Sequence, residues 1–259
     1  MTKDVKVGVF IAVRMNSTRL PQKALLDIEG KTLIAHLIER VKKSNLPNII
    51  VVCTSTHPDD AILTAIAKQA GVKAFTGSET DVAARFLEAA REERVDVIVR
   101  VTGDCPLIDP EHIDRAITHL LASDADYVRI IGMPIGTHCE VFYTGALQRI
   151  CDLAGSDNYS EYLTFYFINN PEIFHIEEIE CDEGVNRPSY RLTVDEIPDA
   201  ELMRKIYGHL YQGRRVFSLK EVIELLDSRP DLLAINQNVK LKWRDEKAFV
   251  KLLNEKTRF

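Results

Sequence analysis

Short strand-like runs at 7–13, 49–54, 73–76 and 95–101 alternate with segments of helical periodicity through the first part of the chain. Segment 32–44 sets Leu33, Ile34, Leu37, Ile38 and Val41 on one face, and 59–70 and 79–93 are read as the neighbouring helices. Strand–helix–strand units of this length return to the sheet by right-handed crossovers. They predict an α/β fold with a mainly parallel sheet covered by helices on both faces. Asp109-Pro110-Glu111 has the form of a helix start, and Ser218 with Glu221 that of a capping box. From about 126 to 181 the pattern changes. Segments 140–143 and 175–181 read as strands, with an aromatic helical stretch, 159–169, between them. No Pro/Gly/Ser-rich linker sets this part off, so the expectation is a single domain over 1–259 with an insertion at about 128–180.

The aromatic stretch has two readings. Tyr162, Phe165 and Tyr166 share one helical face, and Tyr159 and Phe167 widen it to either side. Such a face covers the sheet as core, or leaves apolar area for a second subunit, since interface cores favour Tyr and Phe. The expectation is a homodimer held by the inserted segment.

Composition excludes some classes of function. A net charge of -6 argues against broad nucleic-acid binding, which needs a basic face. No apolar stretch approaches the ~20 residues needed to span a bilayer. The N-terminus runs straight into the first strand with no signal-peptide pattern. The five cysteines are widely spaced with no CxxC pair, as expected of free thiols in a reduced, cytoplasmic protein. His138-Cys139 is the one adjacent His/Cys pair and does not make a zinc site.

The chemistry is concentrated at strand ends. After the first strand comes the loop 14–23, which carries Arg14, Arg19 and Lys23 with the hydroxyls of Ser17 and Thr18. Ligands of open α/β sheets bind at the carboxyl ends of strands. A basic loop there, in an acidic protein, suits a small polyanion such as a nucleoside triphosphate. Asp104 closes the apolar strand at 95–101, and Asp195 ends the segment 190–195, read as another strand. Two carboxylates opposed to a cationic loop suit a magnesium–triphosphate, because Mg²⁺ takes one or two carboxylates together with phosphate oxygens and water. Gly30-Lys31-Thr32 imitates the end of a P-loop, but the required glycine five positions earlier is Leu25, so it reads as a turn and helix start. No GxGxxG follows the first strand.

With these residues in hand, the stretches RMNSTRLPQKAL, RVTGDCPLIDP, EVF, RLTVDE and LLAIN resemble the cytidylyltransferases that activate sugar acids as CMP-sugars, such as the CMP-Kdo and acylneuraminate enzymes. The likeness is greatest to their spore-coat polysaccharide branch and runs from residue 7 to about 238. It implies a Rossmann-like three-layer α/β/α fold, homodimers built through the inserted segment, CTP as substrate, Mg²⁺ as cofactor and a small-molecule acceptor, with a sugar acid favoured. It sets Arg14, Ser17, Arg19 and Lys23 on the triphosphate, Asp104 and Asp195 on the metal, and backbone groups at Ala12 on the pyrimidine. Arg14, Lys23 and Asp104 then carry the catalysis, and Gly77-Ser78 falls in the loop closing on base and ribose. His138 and Glu140 face the acceptor, with His138 where an acidic residue is common. Asn16 and Gln22 stand where the family usually has glycine. A sugar-phosphate nucleotidyltransferase, a nucleotide-sugar glycosyltransferase and a non-catalytic nucleotide-binding homologue remain as alternatives.

Overall fold

The structure, a computed structural model, describes residues 5–17, 19–155 and 159–259; Thr18 lies outside them. Strand β1 (Val7–Ala12) is followed by a small hairpin, β2 (Asp27–Ile28) and β3 (Lys31–Thr32), and by α1 (Leu33–Val41). Then come β4 (Ile49–Ser55), α2 (Ala61–Gln69), β5 (Lys73–Gly77), α3 (Val82–Glu93), β6 (Val97–Thr102) and α4 (Pro110–Ala122). The second half holds β7 (Tyr127–Ile131), β8 (Glu140–Tyr143), α5 (Thr144–Leu153), α6 (Leu163–Ile168) and β9 (Ile176–Glu180). It ends with α7 (Ile197–Leu210), α8 (Leu219–Ser228), α9 (Pro230–Leu233), α10 (Lys242–Asp245) and α11 (Lys247–Lys256).

The main sheet has seven strands in the order β5-β4-β1-β6-β8-β7-β9. Only β8 runs against its neighbours β6 and β7; every other pairing is parallel. The chain steps outward from β1 through β4 to β5, then returns to the far side of β1 as β6. The carboxyl ends of β1 and β6, where Ala12 is paired with Thr102, therefore flank a topological switch point.

Alternation along the strands feeds two cores. Val9 and Ile11 join the cluster under α1, α4, α7 and α8, while Phe10 points the other way to Phe86 of α3 and to α5 and α6. Helix α1 starts where its sequence says it should, with the Thr32 hydroxyl accepting from Ala35 N at 3.4 Å. Gly30, at φ 76°, turns the β2–β3 hairpin, so the Gly-Lys-Thr tripeptide is a turn and a cap. Helices α4 and α8 begin at the predicted Asp109 cap and Ser218/Glu221 capping box.

Three expectations need correction. Segment 190–195 is not a strand of the sheet: its one β-bridge joins Arg191 to Ile135. Its backbone bonds go to loops instead, with Leu192 N on Ile135 O at 2.7 Å and Val194 N on Asp104 O at 2.8 Å. The flank of β6 is already occupied by β8, so the alternating Leu192 and Val194 record burial rather than a ladder. Second, β7 and α5 are additional elements in the region that the sequence left unassigned. Third, the aromatic stretch is a 3₁₀ turn, Ser160–Tyr162, followed by the short α6. Its core face is Leu163, Tyr166 and Phe167, while Tyr162 and Phe165 are half-buried and face a cavity. Among the described residues no helix is long and apolar enough to cross a membrane. All five cysteines are free, four of them buried.

Candidate active site

The loop leaving β1 is tied down before it reaches its cations. Met15 N donates to Asp60 Oδ1 at 2.7 Å, and Ser55 N at the end of β4 donates to Asp60 Oδ2 at 3.0 Å. Burial penalises the Asp60 carboxylate, yet these hydrogen bonds hold its pKa below the usual range. The chain then doubles back, with Gln22 N on Met15 O at 3.2 Å. Gln22 adopts a left-handed conformation (φ 58°, ψ 23°) that brings Lys23 into a 3₁₀ turn, Lys23–Leu25. A residue with a Cβ is strained in this conformation, which glycine adopts freely.

Lys23 reaches across the switch point. Its ammonium lies 2.8 Å from Asp104 Oδ2 and 2.9 Å from Asp195 Oδ1, and Arg19 adds a third cationic contact, 2.9 Å from Asp195 Oδ1. The Lys23 side chain is 16% exposed and that of Asp195 8%. Burial opposes the Lys23 charge, but the two carboxylates overcome it and hold the pKa above that of a free lysine. Burial likewise opposes ionisation of Asp104, and Lys23 reverses this, holding the carboxyl far below the usual range. Asp104 can sit so close to β1 because Gly103 precedes it. A Cβ on Gly103 would come within 2.6 Å of the Val13 side chain and 3.1 Å of Ala12 O.

Asp195 is held from behind. Arg191 Nη2 lies 3.2 Å from its Oδ2, and Arg191 Nε and Nη2 donate to Asp199 Oδ1 and Oδ2, each at 2.8 Å. Asp199 accepts from Asp195 N and Glu196 N, each at 3.0 Å. Asn236 closes the network, donating to Asp199 Oδ1 at 2.9 Å and to Arg191 O at 3.0 Å.

Two adjoining cavities open from Asp104 and Asp195. The first, of about 180 Å³, is lined by Ala12, Arg14, Asn16, Ser17, Arg19 and Lys23 from the loop and by Thr80, Val82 and Arg85 opposite. Arg85 is buried, and its Nε and Nη2 donate to Ser78 O at 2.8 and 2.6 Å. Gly77 and Ser78 thus stand behind Arg85 and do not line the cavity. Arg14 lies on its far side, 3.7 Å from Glu161. The second cavity, of about 290 Å³, has His138, Glu140, Tyr162, Phe165 and Trp243 in its wall. Glu140 takes hydrogen bonds from Arg100, Tyr127 and Thr164. Burial resists its charge, and Arg100 with the two hydroxyls holds its pKa below the usual range. Burial lowers the His138 pKa, and its Nδ1 has no hydrogen-bond partner among the described residues.

A cytidylyltransferase family model matches residues 9–223, a span that includes the loop, both aspartates and both cavities' strand ends. The chain belongs to the cytidylyltransferase family. It is a CTP-dependent nucleotidyltransferase. The spore coat polysaccharide biosynthesis protein SpsF of Bacillus subtilis (strain 168) is 34% identical over 226 residues, covering 85% of this chain and 94% of that protein. The 3-deoxy-manno-octulosonate cytidylyltransferase of Anaeromyxobacter dehalogenans (strain 2CP-C) is 38% identical over 113 residues, covering 43% of this chain and 46% of that protein. The solved structure of a cytidylyltransferase from Leptospira borgpetersenii serovar Hardjo-bovis (strain JB197) is 30% identical. It superposes with a TM-score of 0.82 over 92% of this chain and 99% of that one.

Several groups of the cytidylyltransferase site escape a reading along the sequence. Arg85 sits in a helix pattern like any surface arginine, and only the fold turns it inward onto Ser78. Arg100 lies mid-strand in an apolar run, a charge that burial must pair, which is a signal available in the sequence but not used. Asp199 and Asn236 meet across 37 positions, so no local spacing marks them.

Proposed function

We propose that this cytidylyltransferase transfers CMP from CTP to a sugar acid and releases pyrophosphate, in the making of a surface polysaccharide or related glycan. The observation that carries the reading is the Lys23 ammonium held between Asp104 and Asp195 at the switch point, beside a loop of further cations. The acceptor class draws on the named activities of the octulosonate and spore-coat relatives.

The two carboxylates fit a divalent cation. Both present hard oxygens to one point, and a positive charge, that of Lys23, already stands between them. Asp104 and Asp195 would hold Mg²⁺, which supplies charge neutralisation at the α-phosphoryl group. An acceptor oxygen attacks the α-phosphorus in line. A new oxygen–phosphorus bond forms as the acceptor hydroxyl gives its proton to water, the α–β bridging bond breaks, and pyrophosphate leaves with the bonding electrons. Lys23, Arg14 and Arg19 bind the charge that gathers on the departing group, with Ser17 as a further donor. Backbone groups around Ala12 meet the pyrimidine, and Arg85 fixes the segment closing over it. The Arg191–Asp199–Asn236 network keeps Asp195 in place, so the charges need no reorganisation during transfer.

The test is a pyrophosphate-release screen of four nucleoside triphosphates against sugar acids and sugar phosphates with Mg²⁺. Pyrophosphate with a CMP conjugate supports the reading. Release of a nucleoside diphosphate, or nucleotide binding without turnover, overturns it. A homodimer formed through the 128–180 segment belongs to the same proposal, and light scattering over a dilution series tests it; a persistent monomer at micromolar concentration refutes it.

A further inference from the structure

The family match ends at residue 223, and the chain beyond it returns to the site. The last turn docks on α6: Asn170 Nδ2 donates to Thr257 O at 2.8 Å, Asn169 Nδ2 to Thr257 Oγ1 at 2.7 Å, and Phe259 N to Asn170 Oδ1 at 2.8 Å. Phe259 stacks on Tyr166 with ring centroids 5.5 Å apart, and Phe249 meets Tyr162 edge-on at 5.3 Å. Leu253 and Thr257 are fully buried in this seam. Docking of this kind holds the short helix α10 against the second cavity, where Leu241, Lys242 and Trp243 form part of the wall.

The chemistry of that wall is distinctive. Trp243, the chain's single tryptophan, remains 38% exposed although it lines a cavity. Lys242 lies 5.9 Å from the Phe249 ring and makes no ion pair with any described residue. Opposite them stands His138, whose Nδ1 is buried with no hydrogen-bond partner among the described residues. An indole beside an unpaired ammonium matches a ligand with a flat apolar face and a carboxylate, which is the makeup of a pyranose sugar acid.

We infer that Trp243 and Lys242, carried by the C-terminal tail, select the acceptor: the indole covers the C–H face of the sugar ring and the ammonium takes its carboxylate. This rests on the cytidylyl-transfer reading and adds to it the residues that choose the second substrate.

The single tryptophan supplies the readout. The full-length protein is titrated with CMP and with CMP-N-acetylneuraminate, following tryptophan emission and, by calorimetry, affinity. The conjugate is expected to bind more tightly than CMP and to shift the emission, which CMP alone leaves unchanged. Trp243→Ala and Lys242→Met should each weaken the conjugate about tenfold, the size of one lost stacking or charge-assisted contact, while CTP affinity stays within about twofold. Trp243→Phe should keep most of the affinity. A conjugate bound no better than CMP, or bound equally by wild type and both variants, overturns the inference while CTP binding leaves the nucleotide reading intact. Failure of the wild type to bind either CTP or CMP overturns both.

Discussion

The two cavities share Asp104 and Asp195 but are built on opposite principles. The proposed nucleotide side stands on β1 and β6, parallel neighbours at the centre of the sheet, and there Lys23, Arg19 and both aspartates are paired with one another. The proposed acceptor side stands on the antiparallel β8, a six-residue helix and a C-terminal tail. It leaves Arg100 Nε and His138 Nδ1 without partners among the described residues, and Lys242 without a counter-ion. In the proposed reaction Lys23 and Arg19 exchange these aspartate partners for phosphate oxygens, so on this side every ligand charge meets a group already in place. On the proposed acceptor side the exposed Lys242 ammonium has no ion-pair partner among the described residues and stays available to a ligand carboxylate. Fold supplies the first side, and peripheral segments supply the second.

The sharpest test of this division removes a charge from the shared edge. Asp104→Asn should lower kcat by roughly 10²-fold or more, about 2.7 kcal/mol of transition-state stabilisation, with the fold retained. Steady-state pyrophosphate release with a circular-dichroism check measures both. Near-normal turnover would mean that the compensated side is not the reacting side. Lys23→Ala comes next. Its partners are proposed to be phosphates that CMP lacks, so CTP affinity should fall by about ten- to a hundredfold, the worth of one or two charged hydrogen bonds, with CMP affinity nearly unchanged. Calorimetry with both nucleotides decides it, and equal losses would remove Lys23 from the triphosphate.

The same division decides what could be read from the chain. The places of Arg14 and Asp104, just past the ends of β1 and β6, and of Lys23 on the loop after β1, are legible because the strands themselves are plain from their alternation with helices. The strand reading of the segment that carries Asp195 fails, since the segment is extended and buried without joining the sheet. Its supports are invisible locally: Arg191, Asp199 and Asn236 acquire meaning only when α7 and the chain beyond α9 come together. The acceptor side was harder still. Helical spacing sets Tyr162, Phe165 and Tyr166 on one face, open to a core or an interface reading, but a 3₁₀ turn before α6 rotates the core stripe by one position and leaves Tyr162 and Phe165 to the cavity. Trp243 gave no signal, because nothing near it in sequence shows that the tail returns.

Acid should separate the two sides by a smaller margin. Asp104 is shifted down and Lys23 up, so neither changes charge between pH 7 and 5. His138 is shifted down by burial, as is His36, whose Nε2 lies 2.7 Å from Ile28 O. A folded-state pKa below the unfolded value means that the unfolded chain takes up more protons as pH falls. The stability is therefore present at neutral pH and is lost below about pH 6.5, towards the folded values. Urea unfolding should show a lower stability at pH 5.5 than at pH 7.5. His138→Gln should remove the acceptor-side share, and an unchanged pH dependence in that variant would show that folding does not shift the His138 pKa.

The least effect is expected inside the nucleotide loop. Gln22 holds the left-handed conformation that a glycine adopts without strain, at a cost of the order of 1 kcal/mol to a side chain with a Cβ. Glycine also enlarges the freedom of the unfolded chain, which offsets part of the relief. Gln22→Gly should therefore raise stability by less than about 1 kcal/mol, with Lys23 still delivered to Asp104 and Asp195 and CTP affinity altered by less than about threefold. The comparison of the two sides depends on this, because a loop whose charges are compensated by the protein itself should tolerate a softer hinge. A large loss of CTP affinity in Gln22→Gly, without loss of stability, would mean that the nucleotide side relies on the strained residue to aim Lys23 and is less firmly organised by its ion pairs than the geometry implies.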